Sequence, residues 1–189
     1  MKMVKKILDV PQVDQRKDEL TCVPASIKMV LDYISRIEHP SKNVPEFSVE
    51  DIAKILRTDE LGTPLENIKN LNKNERILLA IPSIEFVDKN GCRFDEIKTE
   101  LENNRPIISW ISPSEIFTGL SHSVVITGID EGKLLVYYND PLYGKKVESM
   151  VKFLSMWDRA DRVLIKIKIG ARTQRLLDEF PKDKREIEQ

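Results

Sequence analysis

The rhythm of hydrophobic and polar positions changes about half-way along the chain. From Cys22 to Arg36, apolar residues fall at Ala25, Ile27, Met29, Val30, Leu31, Tyr33 and Ile34. They wrap most of a helical wheel, which predicts a central, buried helix. Pro24 lies in its first turn, where a missing N–H leaves no bond unmade. Residues 1–21 carry no periodic run and read as extended and loop-like, with Pro11 and a polar stretch from Asp14 to Glu19. A loop from His39 to Pro45 follows the helix. Ser48 then caps a helix through Arg57, and Glu50 and Asp51 suit its positive end. Thr63-Pro64 opens a short helix to Leu71. The apolar run Ile77–Ile81 reads as a strand, Asp88–Gly91 as a turn, and Phe94, Ile97 and Leu101 mark a helix from Phe94 to Glu102.

Beyond Asn103-Asn104 the texture turns to β. Pro106–Ser112 and His122–Ile129 read as strands, and Asp130, Glu131, Gly132 and Lys133 as a hairpin turn that returns in a strand from Lys133 to Tyr138. Glu148–Trp157 reads as a helix, Arg162–Ile169 as the last strand, residues 171–180 as a helix and Pro181–Gln189 as a loose charged tail. Helices first and strands later predict an α+β fold with an antiparallel sheet. The expected organisation is one domain over residues 1–170, then a charged C-terminal helix and tail over 171–189.

Composition narrows the function classes. The chain has 189 residues, enough for a core without covalent staples, and 41% of them are apolar. Thirty basic and 31 acidic residues give a formal charge of −1, so no general attraction to nucleic acid or an anionic membrane is expected. Two cysteines are too few for a disulfide framework and suit a reducing compartment. The two cysteines and two histidines show no ligand-type spacing, so no metal or other cofactor is expected. The N-terminal lysines are followed by only Ile7-Leu8 before Asp9, which is not a signal peptide. The longest apolar run, Ile77–Pro82, is far too short for a membrane span. A cytoplasmic location follows as the expectation.

Candidate chemistry gathers around Cys22. A thiol at a helix start meets unpaired backbone N–H groups and the positive end of the helix dipole, which favour its anion. A lone cysteine is more often a small buried hydrophobe, so the case rests on its company. His122 opens a strand after Gly119-Leu-Ser121, where the small Gly119 and Ser121 leave room for a cleft. The hairpin turn brings residues 138–140 back beside 122–125, so Asp140 or Asn139 can reach the imidazole and hold its tautomer. Gln15, seven residues before Cys22, can offer a side-chain N–H to an oxyanion beside the Cys22 backbone N–H. Cys92, after Asn90-Gly91, reads as a structural or surface thiol, and His39 as a loop residue with no partner in view. Trp110 and Trp157 read as core or cleft-edge aromatics.

The segment from Val10 to Ser26, with Gln15 before Cys22-Val-Pro-Ala-Ser26, resembles the nucleophile region of the bacteriocin-processing (double-glycine leader) cysteine peptidases and their stand-alone relatives, within the papain-like superfamily. His122-Ser-Val-Val-Ile-Thr-Gly-Ile-Asp130, then Leu135-Val-Tyr-Tyr-Asn-Asp-Pro-Leu-Tyr-Gly144, resembles the family's His strand and Asp-Pro strand end. Phe153 and Trp157 also look familial, and the likeness spans about residues 8–169. It implies a papain-like fold with a Cys-bearing helix packed on an antiparallel sheet. It also implies Cys22 as nucleophile, His122 as general base and acid, Asp140 as the orienting residue and Gln15 as the oxyanion residue. The chain departs from the pattern in two ways. Val23 stands where the family has glycine, and its branched side chain can narrow the pocket. The chain also lacks the transporter's membrane and ATPase parts, so cleavage coupled to export is not implied.

These residues imply a cysteine peptidase or amidohydrolase acting on a peptide or protein substrate through a thioester, with no cofactor. Three alternatives stay open: an acyltransferase using the same thiol, a non-catalytic peptide-binding domain of the same fold, and a redox-responsive thiol protein.

Overall fold

The computed structural model describes residues 3–15, 20–39, 46–113 and 121–179. The tail from Pro181, most of the loop after His39, most of the polar stretch before Leu20, and Gly119 and Leu120 lie outside the described residues. Along the chain run β1 (Lys5–Ile7), α1 (Cys22–Glu38), α2 (Val49–Leu56), a 3-10 helix (Leu65–Lys73), α3 (Glu75–Ala80), β2 (Glu85–Lys89), α4 (Phe94–Glu102), β3 (Ile107–Ile111), β4 (His122–Asp130), β5 (Leu135–Asp140), β6 (Gly144–Ser149), α5 (Met150–Asp158), β7 (Leu164–Lys168) and α6 (Ala171–Glu179). The strands form one antiparallel sheet in the order β2-β7-β3-β4-β5-β6, with β1 added to β4.

Helix α1 is buried along almost its whole length, from Val23 to Ile37, as its apolar wheel requires. It packs on β4 and is flanked by α2 and α6. Ser48 caps α2 as expected, with its Oγ accepting from the Asp51 N–H at 3.0 Å while the Asp51 carboxylate accepts from the Ser48 N–H. The other side of the sheet carries α5, where Phe153 packs between Tyr138 and Trp157. The Trp157 indole N–H donates to the Val163 carbonyl at 3.1 Å. Leu177 of α6 is buried, and Gln174 of the same helix donates to the Asn103 carbonyl at 2.9 Å.

Several elements differ from expectation. Residues 77–81 form a helix and its end, not a strand. Asn74 caps α3 by accepting from the Ile77 N–H. Ile77, Ala80 and Ile81 are buried while Leu79 is 78% exposed, a helical and not an alternating spacing. Glu148 and Ser149 belong to β6, and α5 begins only after Ser149, whose Oγ accepts from the Lys152 N–H. The turn expected over Asp88–Gly91 shrinks to a bend at Asn90 and Gly91, because Asp88 and Lys89 belong to β2, a strand that was not expected. Within the loop-like N-terminus, Lys5–Ile7 pair with Asp130–Gly128 of β4.

That last pairing depends on Gly128. A Cβ there would lie 2.6 Å from the Lys6 carbonyl oxygen and 2.9 Å from Ile7 Cα, both backbone atoms that cannot swing aside. The β4–β5 register also shifts between Ile126 and Gly128, a bulge at the same place. Gly128→Ala is therefore expected to force β1 off the sheet edge and destabilise the fold by about 1–3 kcal/mol, the usual range for overpacking. Thermal unfolding of the purified variant beside the parent measures it, and an unchanged midpoint would contradict the close approach.

Candidate active site

Cys22 is the first residue of α1 and is partly exposed. Thr21 occupies the cap position with φ −99° and ψ 23°, and no side chain caps the helix. No acidic residue lies in the first turn. The backbone N–H groups at this end therefore face Cys22 with no carboxylate competing for them. Val23 is 3% exposed and packed in the hydrophobic core, so its branched side chain fills the interior and not the opening beside the thiol.

His122 is brought to Asp140 by strand register. Val125 pairs with Asn139, which sets Val124 opposite Asp140 and makes His122 and Asp140 diagonal neighbours on one face. The contact is a 2.8 Å hydrogen bond between His122 Nε2 and Asp140 Oδ1. The same oxygen accepts the backbone N–H groups of Leu142 at 2.8 Å and Tyr143 at 3.1 Å. The Asp140 side chain is 6% exposed and that of His122 17%, so the acid is sealed while the imidazole keeps an open edge.

Cys22 is the second side chain whose interaction favours the charged imidazole. With Nε2 engaged by Asp140, Nδ1 is the nitrogen left for the sulfur. Burial pulls the imidazole pKa down, but the hydrogen bonds and charges of Asp140 and Cys22 outweigh it and raise it to about 9. Burial pushes the Asp140 carboxyl up. The hydrogen bond and charge of His122 and the two backbone N–H groups reverse that and hold it below its ordinary value. Asp140 is thus an ionised acceptor near neutral pH, and Nε2 carries a proton. Beside this pair, Ser123 donates to Ser26 at 3.0 Å, both fully buried, which ties α1 to β4 one turn past Cys22.

Gln15 sits beside Asp140, its backbone N–H donating to the Pro141 carbonyl at 2.9 Å. Asn139, the other residue that can reach the imidazole by sequence, turns away. Its Nδ2 donates to the carbonyls of Val10 at 3.0 Å and Pro11 at 3.3 Å. Gln12, which sequence reasoning missed, donates to the Asp140 carbonyl at 2.9 Å. Its only sequence signal was its place three residues before Gln15. On the same N-terminal segment, Leu8 and Asp9 join Thr127, Tyr137, Asn139 and Lys145 in lining a groove of about 390 Å³.

The remaining candidates lie elsewhere. Cys92 is buried, its Sγ donates to the Lys89 carbonyl at 3.5 Å, and burial pushes its thiol up, as suits a structural cysteine. His39 has a partner after all: it ends α1, and its Nε2 hydrogen-bonds the Ala80 carbonyl oxygen at 2.9 Å. Trp157 is a core residue and Trp110 is half-buried on β3. Among the described residues, no group of three or more His, Cys, Asp and Glu side chains is placed to hold a metal ion. No helix among them is long and apolar enough to cross a membrane.

A raised imidazole pKa makes stability depend on pH. The contribution is complete below the ordinary value of 6.5 and is lost as pH rises toward and through about 9. The stability difference between the parent and His122→Gln, measured by urea unfolding, is expected to shrink across that window. In Asp140→Ala, NMR titration is expected to find His122 much nearer 6.5. An unmoved imidazole would contradict the assigned cause.

Known proteins share this architecture. The sequence pattern of the Peptidase C39-like family matches residues 7–165. No curated protein matches the sequence. Among solved structures, a double glycine motif protease from an AMS/PCAT transporter, in complex with the leader peptide, is 19% identical with a TM-score of 0.60. The alignment covers 88% of this chain and 99% of that one. A C39-like peptidase from Bacillus anthracis is 17% identical with a TM-score of 0.63, over 88% of this chain and 98% of that one. The peptidase domain of Streptococcus ComA, a bi-functional ABC transporter involved in a quorum sensing pathway, is 18% identical with a TM-score of 0.54, over 87% and 98% of the two chains. The α+β fold is the papain-like fold of the C39 peptidases, with the Cys-bearing helix against an antiparallel sheet.

Proposed function

We propose, for a chain that belongs to the Peptidase C39-like family and is a cysteine peptidase-like hydrolase, that Cys22, His122 and Asp140 form the triad that cleaves a peptide bond. The observation that carries this reading is the placement of one imidazole between a partly exposed helix-start thiol and a sealed, ionised carboxylate.

The Cys22 sulfur attacks the carbonyl carbon as a thiolate, its proton already held on His122 Nδ1. Asp140 holds Nε2–H and stabilises the imidazolium that forms. The carbonyl oxygen becomes an oxyanion, and the Cys22 backbone N–H and the Gln15 side-chain amide are the groups that receive it. Collapse breaks the C–N bond, and His122 returns the proton to the leaving amine. Water, deprotonated by His122, then resolves the thioester to a carboxylate and the free thiol. The substrate is a peptide or protein segment that lies extended across the site. A leader peptide bound to one protein of this fold supports that class. A nucleophilic thiol of this kind suits a reducing compartment such as the cytoplasm.

Iodoacetamide labelling of Cys22 and Cys92 across pH, followed by peptide mass spectrometry, tests the reading. Cys22 is expected to label well below pH 8 and far faster than buried Cys92, with the advantage lost in His122→Ala. Equal, slow labelling of both thiols would leave a binding domain without catalysis. Peptidase activity is expected to decline as pH rises through about 9, where His122 loses the proton it must deliver. His122→Ala should lower kcat by about 10²–10⁴-fold, the usual contribution of a general acid–base.

A further inference from the structure

The last residues of β5 face two ways. Successive side chains of a strand point to opposite sides, so Asp140 turns to His122 while Asn139 turns to the N-terminal segment. That segment, residues 8–15, has no helix or strand of its own. From Val10 to Gln15 it is held against the end of β5 by four hydrogen bonds. Asn139 donates to Val10 and Pro11, Gln12 to the Asp140 carbonyl, and the Gln15 N–H to the Pro141 carbonyl. Asn139 is 2% exposed, so its amide is committed to this contact. Three of the four bonds come from side chains with no part in the thiol–imidazole pair.

We propose that Asn139 and Gln12 are positioning residues that act through Gln15: they register the 10–15 segment on the triad's own strand, and so set where the Gln15 amide meets the developing oxyanion. This deepens the proposed hydrolase and rests on the role given there to Gln15. The physical reason is the short reach of an oxyanion donor, which works only within about 2.7–3.1 Å of the oxygen. A segment without regular structure cannot keep a side chain to that tolerance unless outside contacts fix it. Anchoring it to residues 139–141 places the oxyanion donor and the imidazole's carboxylate on one rigid element.

The experiment separates oxyanion binding from thiol activation. The probe is a dipeptide aldehyde ending in glycinal. The Cys22 sulfur adds to its carbonyl carbon, the C=O π bond opens, and the oxygen takes the thiol's proton through His122, giving a reversible hemithioacetal. Affinity is read as protection of Cys22 from iodoacetamide. Gln15→Ala is expected to weaken protection by about 10²-fold, the scale of one lost oxyanion donor. Asn139→Ala and Gln12→Leu are each expected to weaken it about tenfold or more, within the cost of a 1 Å misplacement. The Gln12 variant keeps volume on a half-buried segment and covers the case in which Asn139→Ala does not fold. Combined with Gln15→Ala, neither should add a further loss. The pH profile of direct alkylation should stay that of the parent, because iodoacetamide creates no oxyanion.

Losses that multiply with Gln15→Ala, or an altered alkylation profile, would mean that the two residues act elsewhere and would overturn the inference. So would parent-like protection in both single variants. Unchanged protection in Gln15→Ala would overturn the oxyanion role along with it. Absence of protection in the parent, or slow labelling of its Cys22, would instead overturn the hydrolase reading itself.

Discussion

Everything at this site depends on how β4 pairs with β5. The hairpin fixes Val125 opposite Asn139, and from that single register His122 meets Asp140 at 2.8 Å. A slip of one residue would turn each side chain to the opposite face, setting Asp140 toward the N-terminal segment and Asn139 toward the imidazole. The sheet resists the slip because β4 is buried from Ser123 to Asp130 and has partners in β1, β3 and β5. Asp140 is fixed a second time by the two backbone N–H groups of the turn that follows it.

The thiol enters from the other layer. Helix α1 is buried over most of its surface, yet its first residue, Cys22, remains partly open. Burial of Val23 behind Cys22 and the Ser26–Ser123 hydrogen bond set the helix end against β4. The polar groups around the thiol thus come from a helix end, a strand start and a strand end, each anchored in the core. The sulfur needs no loop to bring its partner within reach. Val23, directly after Cys22, serves as a core side chain.

Much of this was legible in the sequence. Cys22 lies at a helix boundary marked by Pro24 and a long apolar wheel, and His122 and Asp140 flank a hairpin whose turn residues allow the register to be counted. The rest was not legible, for physical reasons. Ile77–Ile81 is too short an apolar run for periodicity to separate helix from strand. Strand β6, Gly144–Ser149, is a largely exposed edge whose residues are chosen by solvent more than by a core, so no alternation shows. The contact of Asn139 with Val10 joins residues 129 positions apart, and no local signal encodes such a partner.

The same distance along the chain governs when the site comes into being. Cys22 and Gln15 leave the ribosome more than a hundred residues before the strand pair that completes them. Strand β4 also pairs with β3, whose far side is covered by β7 at Leu164 and Ile165. Contacts this remote are slow to form. A half-made chain therefore carries a thiol without its imidazole and a glutamine without its anchor. Until β4 and β5 pair, the thiol stays apart from its imidazole and carboxylate, so the topology ties assembly of the site to completion of the sheet.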